Sequence, residues 1–370
     1  MKNIKVLVAY HKLDEAISSN VYQPIQLGRS LAGMESKDGR LSDADKAEMK
    51  KKFIGDDTGE NISSLNRSFN EMTAIYWAWK NYSSLGNPDY IGLTHYRRHF
   101  IFSDEKLMEP EWLPNSKVFI FDCIDDRYKN LIKEEKLDRL LDDYDGIVSY
   151  LYDLKNLNPL YLSCRDRFIE MVGLDGEIYD IAIKFILDNF PDFREDVRSF
   201  QMSAKNYLCN MFVLRKDDFI EYCEFIFPVL FEIDKNNKLY SFGDNTQKRA
   251  PGFIAEWLTT IFIFHLQRKR MRKLMHCPLS FVIDTTPRNK INQQIAIERQ
   301  AVIKLQILYL LRACSLNKLK LRDKRARYLK IIRDSMAGRA DRHSSLARLA
   351  YRGSNKISRV LERLSRFTAI

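Results

Sequence analysis

Two histidines and two arginines directly follow a short apolar stretch of the sequence. Residues 90–93 (YIGL) predict a buried strand, which runs into the cluster 95–99 (HYRRH). Gathering this much positive charge at the end of an apolar strand costs free energy unless an anion or carboxylates compensate it. Arginine presents a planar fork of donors that suits phosphate oxygens. The cluster therefore favours anion binding, although pairing of Arg97 or Arg98 with acids inside the fold stays open.

A single acid stands in an otherwise apolar segment further along the chain. Residues 249–269 (RAPGFIAEWLTTIFIFHLQRK) predict a helix, and Glu256 lies inside its amino-terminal part. Such an acid faces solvent, pairs with a partner such as Arg249, or faces a cleft with a raised pKa that suits proton abstraction. All three interpretations stay open, and the third makes Glu256 a candidate general base.

The acidic residues do not point clearly to a metal site. Four pairs of adjacent aspartates fall in turns or at predicted helix starts, where capping of backbone N–H groups accounts for them. The two Asp-x-Asp patterns, at 43–45 and 143–145, lack a strand end that would present them. We therefore predict no metal firmly and leave Mg²⁺ or Mn²⁺ open.

Several common catalytic motifs are absent from the sequence. It contains no GxGxxG, GxxxxGK[ST], GxSxG or HExxH pattern and no kinase signature. The six cysteines are scattered without a CxxC pair, which argues against a zinc cluster and against a disulfide framework. A reducing cytoplasm fits this cysteine usage.

The elements that position the polar clusters indicate an α/β fold. Residues 4–10 (IKVLVAY) are β-branched and apolar, as in a parallel strand that is buried on both faces. Three further segments predict helices: 63–82, 161–190 and 217–233. We expect a mostly parallel sheet flanked by helices. Ligands bind beyond the carboxyl ends of the strands in such sheets, so His11 and Lys12 are expected near the 95–99 cluster.

The composition describes a globular chain with an unevenly distributed charge. With 45% hydrophobic and 29% charged residues, the 370 residues can form a large core, which excludes intrinsic disorder. The chain carries a net charge of +11, but residues 291–370 hold 19 Lys or Arg and only five acids, a net +14. Residues 1–290 therefore carry −3. We predict a first domain over 1–285 and a basic helical tail over 286–370.

The basic tail has apolar residues at helical spacing, which predicts amphipathic helices. Such helices could form a cap with a solvated basic face, bind an anionic membrane surface, or bind nucleic acid. No reader motif for nucleic acid is present, so no nucleic-acid partner is expected. The longest apolar runs, 258–266 and 301–311, are shorter than the roughly 18–20 residues that span a bilayer.

A resemblance to a known family rests on four segments. They are AYHK (9–12), GDDTGENISSLNRSFNEMTAIYWAWKNYSSLGNPDYIGLTHYRRHF (55–100), NMFVLRK (210–216) and RAPGFIAEWL (249–258). Together they resemble a bacterial polysaccharide-synthesis family, domain-of-unknown-function family 4422. The likeness covers about residues 4–266 and leaves the basic tail unaccounted for.

This resemblance implies a glycosyltransferase of the hexosyltransferase type with a GT-A-like, Rossmann-like fold. It would act in capsule, exopolysaccharide or lipopolysaccharide O-antigen synthesis, with a UDP-sugar as the leading donor and a lipid-linked glycan as acceptor. GT-A enzymes deliver an Asp-x-Asp motif after an apolar strand, and its carboxylates hold a metal against the diphosphate. Here HYRR stands in that place, so we expect His95, Arg97 and Arg98 to neutralise the diphosphate directly.

The resemblance also suggests a role for each candidate site residue. Donor binding is expected of Tyr10, His11, Lys12, Asp57, Asn61, Asn66, His95, Tyr96, Arg97 and Arg98. Acceptor binding is expected of Asn210, Arg249 and Gly252. Whether the reaction inverts or retains the anomeric centre stays open. If it inverts, one carboxylate takes the acceptor proton, with Glu256 as the first candidate and Asp244 as the second.

Two other functions stay open at this point. In one, HYRR and the basic tail form a single phosphate-binding surface of a non-enzymatic, RNA-binding protein. In the other, the enzyme transfers a sugar phosphate from a nucleotide donor. For the glycosyltransferase we expect a cytoplasmic location, peripheral at the inner face of the plasma membrane through residues 291–370.

Overall fold

The computed structural model describes residues 2–35, 40–103, 105–174 and 176–283. The predicted boundary at residue 285 and the predicted tail, 286–370, lie outside these ranges. The fold described below therefore belongs to the predicted first domain.

The elements alternate along the chain as the sequence indicates. The strands are β1 (Ile4–Tyr10), β2 (Tyr22–Gln26), β3 (Ile54–Gly55), β4 (Tyr90–His95), β5 (Val118–Phe121), β6 (Gly146–Val148), β7 (Leu151–Asp153), β8 (Lys205–Tyr207), β9 (Phe212–Arg215), β10 (Leu274–His276) and β11 (Leu279–Val282). The helices are α1 (Asp43–Lys52), α2 (Asn66–Phe69), α3 (Met72–Lys80), α4 (Asp126–Leu131), α5 (Glu134–Asp143), α6 (Cys164–Val172), α7 (Glu177–Asn189), α8 (Arg194–Gln201), α9 (Lys216–Lys235) and α10 (Ala250–Arg268).

Seven strands form the main sheet in the order β10-β6-β9-β4-β1-β2-β3. Neighbouring strands pair in parallel except at β9, which runs antiparallel to both β4 and β6. The central strands β1 and β4 are buried along nearly their whole length, as their apolar sequences require. The predicted α/β fold with a mostly parallel sheet is confirmed.

The sheet direction decides which residues meet at the strand ends. The carboxyl ends of the six parallel strands lie at one edge of the sheet. Because β9 runs the opposite way, its amino end and the preceding residues 209–211 reach the same edge. This topology brings Cys209 against His95, from which 114 sequence positions separate it.

Two long helices build much of the core beside the sheet. The helix predicted over 217–233 is α9, and the helix predicted over 249–269 is α10, so both predictions are confirmed. Helix α10 is buried on most of its surface and packs against α6, α8, α9 and β8. Within the described ranges, no helix combines the length and the apolar character that crossing a membrane requires.

The continuous helix predicted over 63–82 is wrong. The segment is divided into α2 and α3 at Asn70, whose backbone has φ +50° and ψ −130°. L-residues rarely adopt this conformation, which cannot continue a helix. It is held by the side-chain amide of Asn66, which donates to the Asn70 carbonyl at 2.7 Å. The break turns the next residue, Glu71, towards the carboxyl edge of the sheet.

Candidate active site

A cleft of about 890 Å³ lies at the edge where the parallel strands end. Its walls come from residues after β1, β2 and β4, from the turn between α2 and α3, and from one face of α10. It is lined by these sequence-predicted site residues: His11, Asn66, His95, Tyr96, Arg97, Arg98, Arg249, Gly252 and Glu256. The fold thus brings most of the predicted site together where open α/β sheets bind ligands.

Arg98 is held in the cleft by aromatic rings. Its guanidinium carbon lies 4.7 Å from the centre of the Phe281 ring and 5.4 Å from that of Trp112. Its buried Nε has no hydrogen-bond partner among the described residues, where Arg98 also has no ion pair with an acid. A cation held by ring faces is oriented without being neutralised, so the charge of Arg98 remains available to an anion in the cleft.

Arg97 also lines the cleft, but within the described residues it has, unlike Arg98, a carboxylate close to its guanidinium. Its guanidinium lies 3.5 Å from a carboxylate oxygen of Asp14 and 5.0 Å from the Tyr96 ring. The His11 ring packs edge-on against the same tyrosine at 5.0 Å. Tyr96 thus supports two polar residues at the rim, and the Asp14 carboxylate partly compensates the charge of Arg97.

His95 contributes no positive charge, contrary to the expectation from the sequence. Its Nε2 lies 2.7 Å from the carbonyl oxygen of Cys209. A carbonyl can only accept, so Nε2 carries the hydrogen and Nδ1 of the neutral ring is an acceptor. Burial is the main cause that lowers the pKa of His95, and the positive charge of Arg98 acts in the same direction. The negative charge of Glu71 and the hydrogen bond to Cys209 oppose this shift without reversing it. His95 therefore orients the site rather than neutralising a diphosphate.

A buried network fixes the loop that carries the two arginines. His99 is fully buried, and its Nδ1 lies 2.6 Å from the Tyr128 hydroxyl, which lies 2.6 Å from the Ser280 hydroxyl. The backbone N–H of His99 donates to the same Ser280 hydroxyl at 3.0 Å. Burial lowers the pKa of His99 to about 3, so this ring is neutral and structural.

Glu256 faces the cleft from α10 with both carboxylate oxygens engaged. The backbone N–H of Cys209 donates to Oε2 at 3.0 Å, and the side-chain amide of Asn206 donates to Oε1 at 3.1 Å. Burial is the main cause that raises the pKa of Glu256 to about 7, and the negative charge of Glu71 adds to it. The hydrogen bond from Cys209 and the charges of Arg98 and Arg167 act in the opposite direction. A carboxyl group with this pKa can take and release a proton near neutral pH.

One strained turn, at Cys209 and Asn210, connects His95, next to the arginines, with Glu256 on α10. Cys209 and Asn210 have φ values of +75° and +49°, in the left-handed region that non-glycine residues rarely occupy. The N–H of Cys209 binds Glu256 and its carbonyl binds His95. Backbone strain of this kind accumulates where the surrounding contacts hold a functional geometry.

Glu71 is a cleft residue that the sequence analysis missed. It lines the same cleft, and the side-chain amide of Asn210 donates to its Oε1 at 2.7 Å. Asn210 itself is buried, with 2% of its surface exposed, and does not line the cleft. Its expected contact with the acceptor is therefore corrected: Asn210 positions Glu71. The apolar pattern over 63–82 predicts an unbroken helix and gives no local indication that Glu71 faces a site.

Arg249 and Gly252 lie at the outer wall of the cleft, around Asn70. The Nε of Arg249 donates to the side-chain oxygen of Asn70 at 2.8 Å. A Cβ on Gly252 would lie 1.9 Å from the side-chain nitrogen of Asn70, so only glycine permits this approach. The close contact fixes the amino-terminal turn of α10 against the turn between α2 and α3.

Two residues predicted at the end of β1 do not line the cleft. Tyr10 is fully buried, and its hydroxyl is used within the fold, where it binds backbone groups of Glu15 and Ile17. Lys12 lies beyond the rim, with its Nζ 5.9 Å from the Tyr96 ring centre. Direct donor contacts from these two side chains are therefore not supported.

Three further residues that the sequence predicts in the site lie in loops and do not line the cleft. The side-chain amide of Asn61 donates to two carbonyls of its own loop. Asp244, the second candidate base, caps backbone N–H groups of the next turn and is exposed. Asp57 lies beside the Arg29 guanidinium, where both approach Gly55. Asn61 and Asp244 thus make hydrogen bonds within their own loops. Oδ1 of Asp57 is buried and has no hydrogen-bond partner among the described residues. All three residues lie outside the cleft lining.

Asp56 fixes the wall of the cleft from behind. Its buried carboxylate accepts four hydrogen bonds, from the backbone N–H groups of Gly28 and Arg29 and from the hydroxyls of Ser63 and Thr73, at 2.6–3.0 Å. These donors belong to three separate parts of the chain. Asp56 therefore joins the loop after β2 to the segment that carries Asn66 and Glu71.

Asp56→Ala is expected to lower the free energy of unfolding by about 3 kcal/mol, because buried donors lose their acceptor. The matched control is Asp188→Ala on the surface of α7, where the carboxylate pairs with Lys184 and is 55% exposed. This control is expected to unfold as the wild type does. Urea titrations of the three proteins measure the difference. Equal stability of the two variants would contradict the role given to Asp56.

The described residues contain no group of three or more His, Cys, Asp or Glu side chains arranged to hold a metal ion. No metal ligands are therefore assigned in the cleft.

Comparisons with known proteins agree with this architecture. A family model described as "Domain of unknown function (DUF4422)" matches residues 5–268. Among solved structures, the apo structure of the bifunctional glycosyltransferase WbbM is similar, with 28% sequence identity and a TM-score of 0.64. The match covers 76% of this chain and 46% of WbbM, so the chain spans less than half of that protein. A search of curated proteins finds no match.

Proposed function

We propose, from the premise that this chain belongs to the DUF4422 family, that it is a glycosyltransferase that moves a sugar from a nucleotide-sugar donor to a glycan acceptor. The likeness to WbbM supports this class of reaction. The single observation that carries the proposal is the environment of Arg98. It is a cleft cation held by aromatic rings, with a buried donor that has no partner among the described residues. A diphosphate is the anion that such a guanidinium suits.

In this proposal the donor diphosphate lies against Arg98, with Arg97 and His11 at the rim. The reaction breaks the bond between the anomeric carbon and the diphosphate oxygen, and the electron pair leaves with the nucleoside diphosphate. Charge therefore develops on the leaving oxygens, where the guanidinium stabilises it. His95 supports the arrangement by anchoring the end of β4 to Cys209.

Glu256 acts as the general base of the proposed transfer. The acceptor hydroxyl oxygen forms the new bond to the anomeric carbon, and its proton passes to the Glu256 carboxylate. The hydrogen bonds from Cys209 and Asn206 hold that carboxylate in one orientation. Holding two substrates in line supplies much of the acceleration.

The acceptor would enter past Arg249 and Gly252, at the outer wall of the cleft. We propose a lipid-linked glycan of capsule, exopolysaccharide or O-antigen synthesis as this acceptor. The basic tail over residues 291–370, outside the described residues, would then hold the enzyme at the inner face of the plasma membrane.

A donor panel tests the proposed function. UDP-, GDP-, TDP- and CMP-sugars are added to the full chain, and one nucleotide class, with UDP leading, is expected to raise Tm by on the order of 5 °C at saturating concentration. Mass spectrometry of the products then measures the mass added to an octyl glycoside acceptor. A mass gain of one sugar is expected, whereas a gain of a sugar phosphate would indicate the other transferase reaction. Salt-sensitive RNA binding without a nucleotide-sugar response would overturn the proposal.

A further inference from the structure

A second carboxylate lies in the cleft besides that of Glu256. Glu71 follows the strained Asn70 and directly precedes α3, so its side chain is presented by a backbone turn of fixed geometry. It lines the cleft and is partly exposed there. A second carboxylate beside Glu256 opposes the ionisation of that group. If residue 71 served only to accept a hydrogen bond within the fold, an uncharged glutamine would do so without repelling Glu256.

Buried residues hold the Glu71 carboxylate in place through a chain of hydrogen bonds. The Tyr222 hydroxyl lies 2.8 Å from the Thr259 hydroxyl, which lies 3.0 Å from the side-chain oxygen of Asn210. The amide nitrogen of Asn210 then donates to Glu71 Oε1 at 2.7 Å. Tyr222, Thr259 and Asn210 are each at most 2% exposed. This chain occupies Oε1 from the protein side and restricts the direction of the carboxylate.

Glu71 lies close enough to both ends of the site for its charge to act on His95 at one end and on Glu256 at the other. Cys209 binds His95, next to the arginines, through its carbonyl and binds Glu256 through its N–H. The adjacent residue, Asn210, binds Glu71. The donor phosphates belong at the first end and the acceptor hydroxyl at the second. In the proposed reaction the transferred sugar occupies the part of the cleft between these two ends, and Glu71 lines that cleft.

We propose that Glu71 is a specificity-determining residue, which binds hydroxyl groups of the transferred sugar through its carboxylate. This inference rests on the proposed function and adds the group that distinguishes one donor sugar from another. Carboxylates accept hydrogen bonds from hydroxyl groups, and a rigid acceptor selects sugars whose hydroxyls point towards it. Epimers that direct the hydroxyl elsewhere lose this hydrogen bond to the Glu71 carboxylate.

The test compares sugars carried by one nucleotide. For UDP, the probes are UDP-glucose, UDP-galactose and their N-acetylated forms, with an octyl glycoside as acceptor. Glu71→Ala is expected to lower kcat/KM for the preferred sugar by about 100-fold. It is also expected to reduce the ratio of kcat/KM between the best and second sugar by at least about tenfold. Binding of free UDP, measured by calorimetry, is expected to change by less than about twofold, which shows that the variant is folded.

Two additional variants separate recognition from structure. Glu60→Ala removes an exposed carboxylate that binds Tyr76 and Lys80 outside the cleft, and it is expected to change neither kcat/KM nor the ratio. Asn210→Gly retains the left-handed backbone and deletes the amide, so it is expected to reduce the ratio less than Glu71→Ala does.

The outcomes distinguish this inference from the function on which it rests. A wild-type protein that transfers sugar from none of the nucleotides overturns the proposed function and the inference with it. A wild-type protein that discriminates among sugars, with Glu71→Ala discriminating equally well, overturns the role of Glu71 alone. An equal loss for every sugar in Glu71→Ala has the same meaning, because a merely structural role lowers all rates together.

Discussion

Replacing Glu256 by glutamine is expected to lower kcat for sugar transfer by about 10²–10⁴-fold, the range for a lost general base. Glutamine has nearly the same shape but cannot take the acceptor proton. Its one side-chain oxygen can accept from the backbone N–H of Cys209, whereas its NH₂ group cannot accept from Asn206, so one of the two hydrogen bonds that hold residue 256 is kept. Donor affinity is therefore expected to stay within about twofold of the wild type. Steady-state kinetics and calorimetry with the donor measure the two effects separately.

The pH dependence of kcat/KM provides an independent check on this base, because kcat/KM reports the pKa values of the free enzyme. Glu256 has a pKa raised to about 7 and must be ionised to act, so kcat/KM is expected to rise with pH up to about 7 and level off above it. The residual activity of Glu256→Gln is expected to lack this rise. Glu60→Gln, outside the cleft, serves as the control and is expected to keep the wild-type profile. Retention of more than a tenth of wild-type kcat in Glu256→Gln would assign the base elsewhere.

Arg98→Ala is expected to reduce kcat/KM for the donor by about 10²–10³-fold, since it removes the cation that faces the developing negative charge. Arg98→Lys is expected to recover only part of this loss. A lysine lacks the planar fork and cannot stack on Phe281 and Trp112 in the same way. Calorimetry with the free nucleoside diphosphate, together with kinetics, measures the change.

Two arginines give graded controls for Arg98. Arg97→Ala is expected to have a smaller effect, because Asp14 already compensates part of the charge of Arg97. Arg165→Ala, which breaks a pair with Asp180 and does not line the cleft, is expected to bind the diphosphate as the wild type does. Unchanged diphosphate binding in Arg98→Ala would remove the observation that carries the proposed function. Loss of all activity in EDTA would show that a metal ion, and not Arg98, stabilises the charge on the leaving diphosphate.

The elements that could be predicted are those with a strong local pattern. The strand at 90–93 is apolar throughout, and α9 and α10 are long segments rich in apolar residues with recognisable starts, and the structure confirms all three. The helix over 63–82 was wrong because its interruption depends on Asn66, which holds the backbone of Asn70 in a rare conformation. Apolar periodicity carries no information about such a contact.

Within the site, residues that differ from their sequence neighbours could be predicted, and residues that depend on distant contacts could not. Arg98 and Glu256 stood out because each contrasts with an apolar neighbourhood, and both line the cleft. Glu71 did not stand out, because its partner Asn210 is 139 positions away. The neutrality of His95 likewise depends on burial and on Cys209, which the sequence does not reveal.

The peptide groups of Cys209 have a consequence for how this site tolerates mutation. Both His95 and Glu256 are tethered to the main chain of that residue and not to its thiol. Replacement of the side chain at 209 leaves the peptide N–H and the peptide carbonyl in place, provided that the new residue adopts the same backbone angles. Proline is the exception, since it has no N–H and its ring fixes φ at a negative value. Members of the family can therefore differ at this position while the spacing between His95 and Glu256 stays constant.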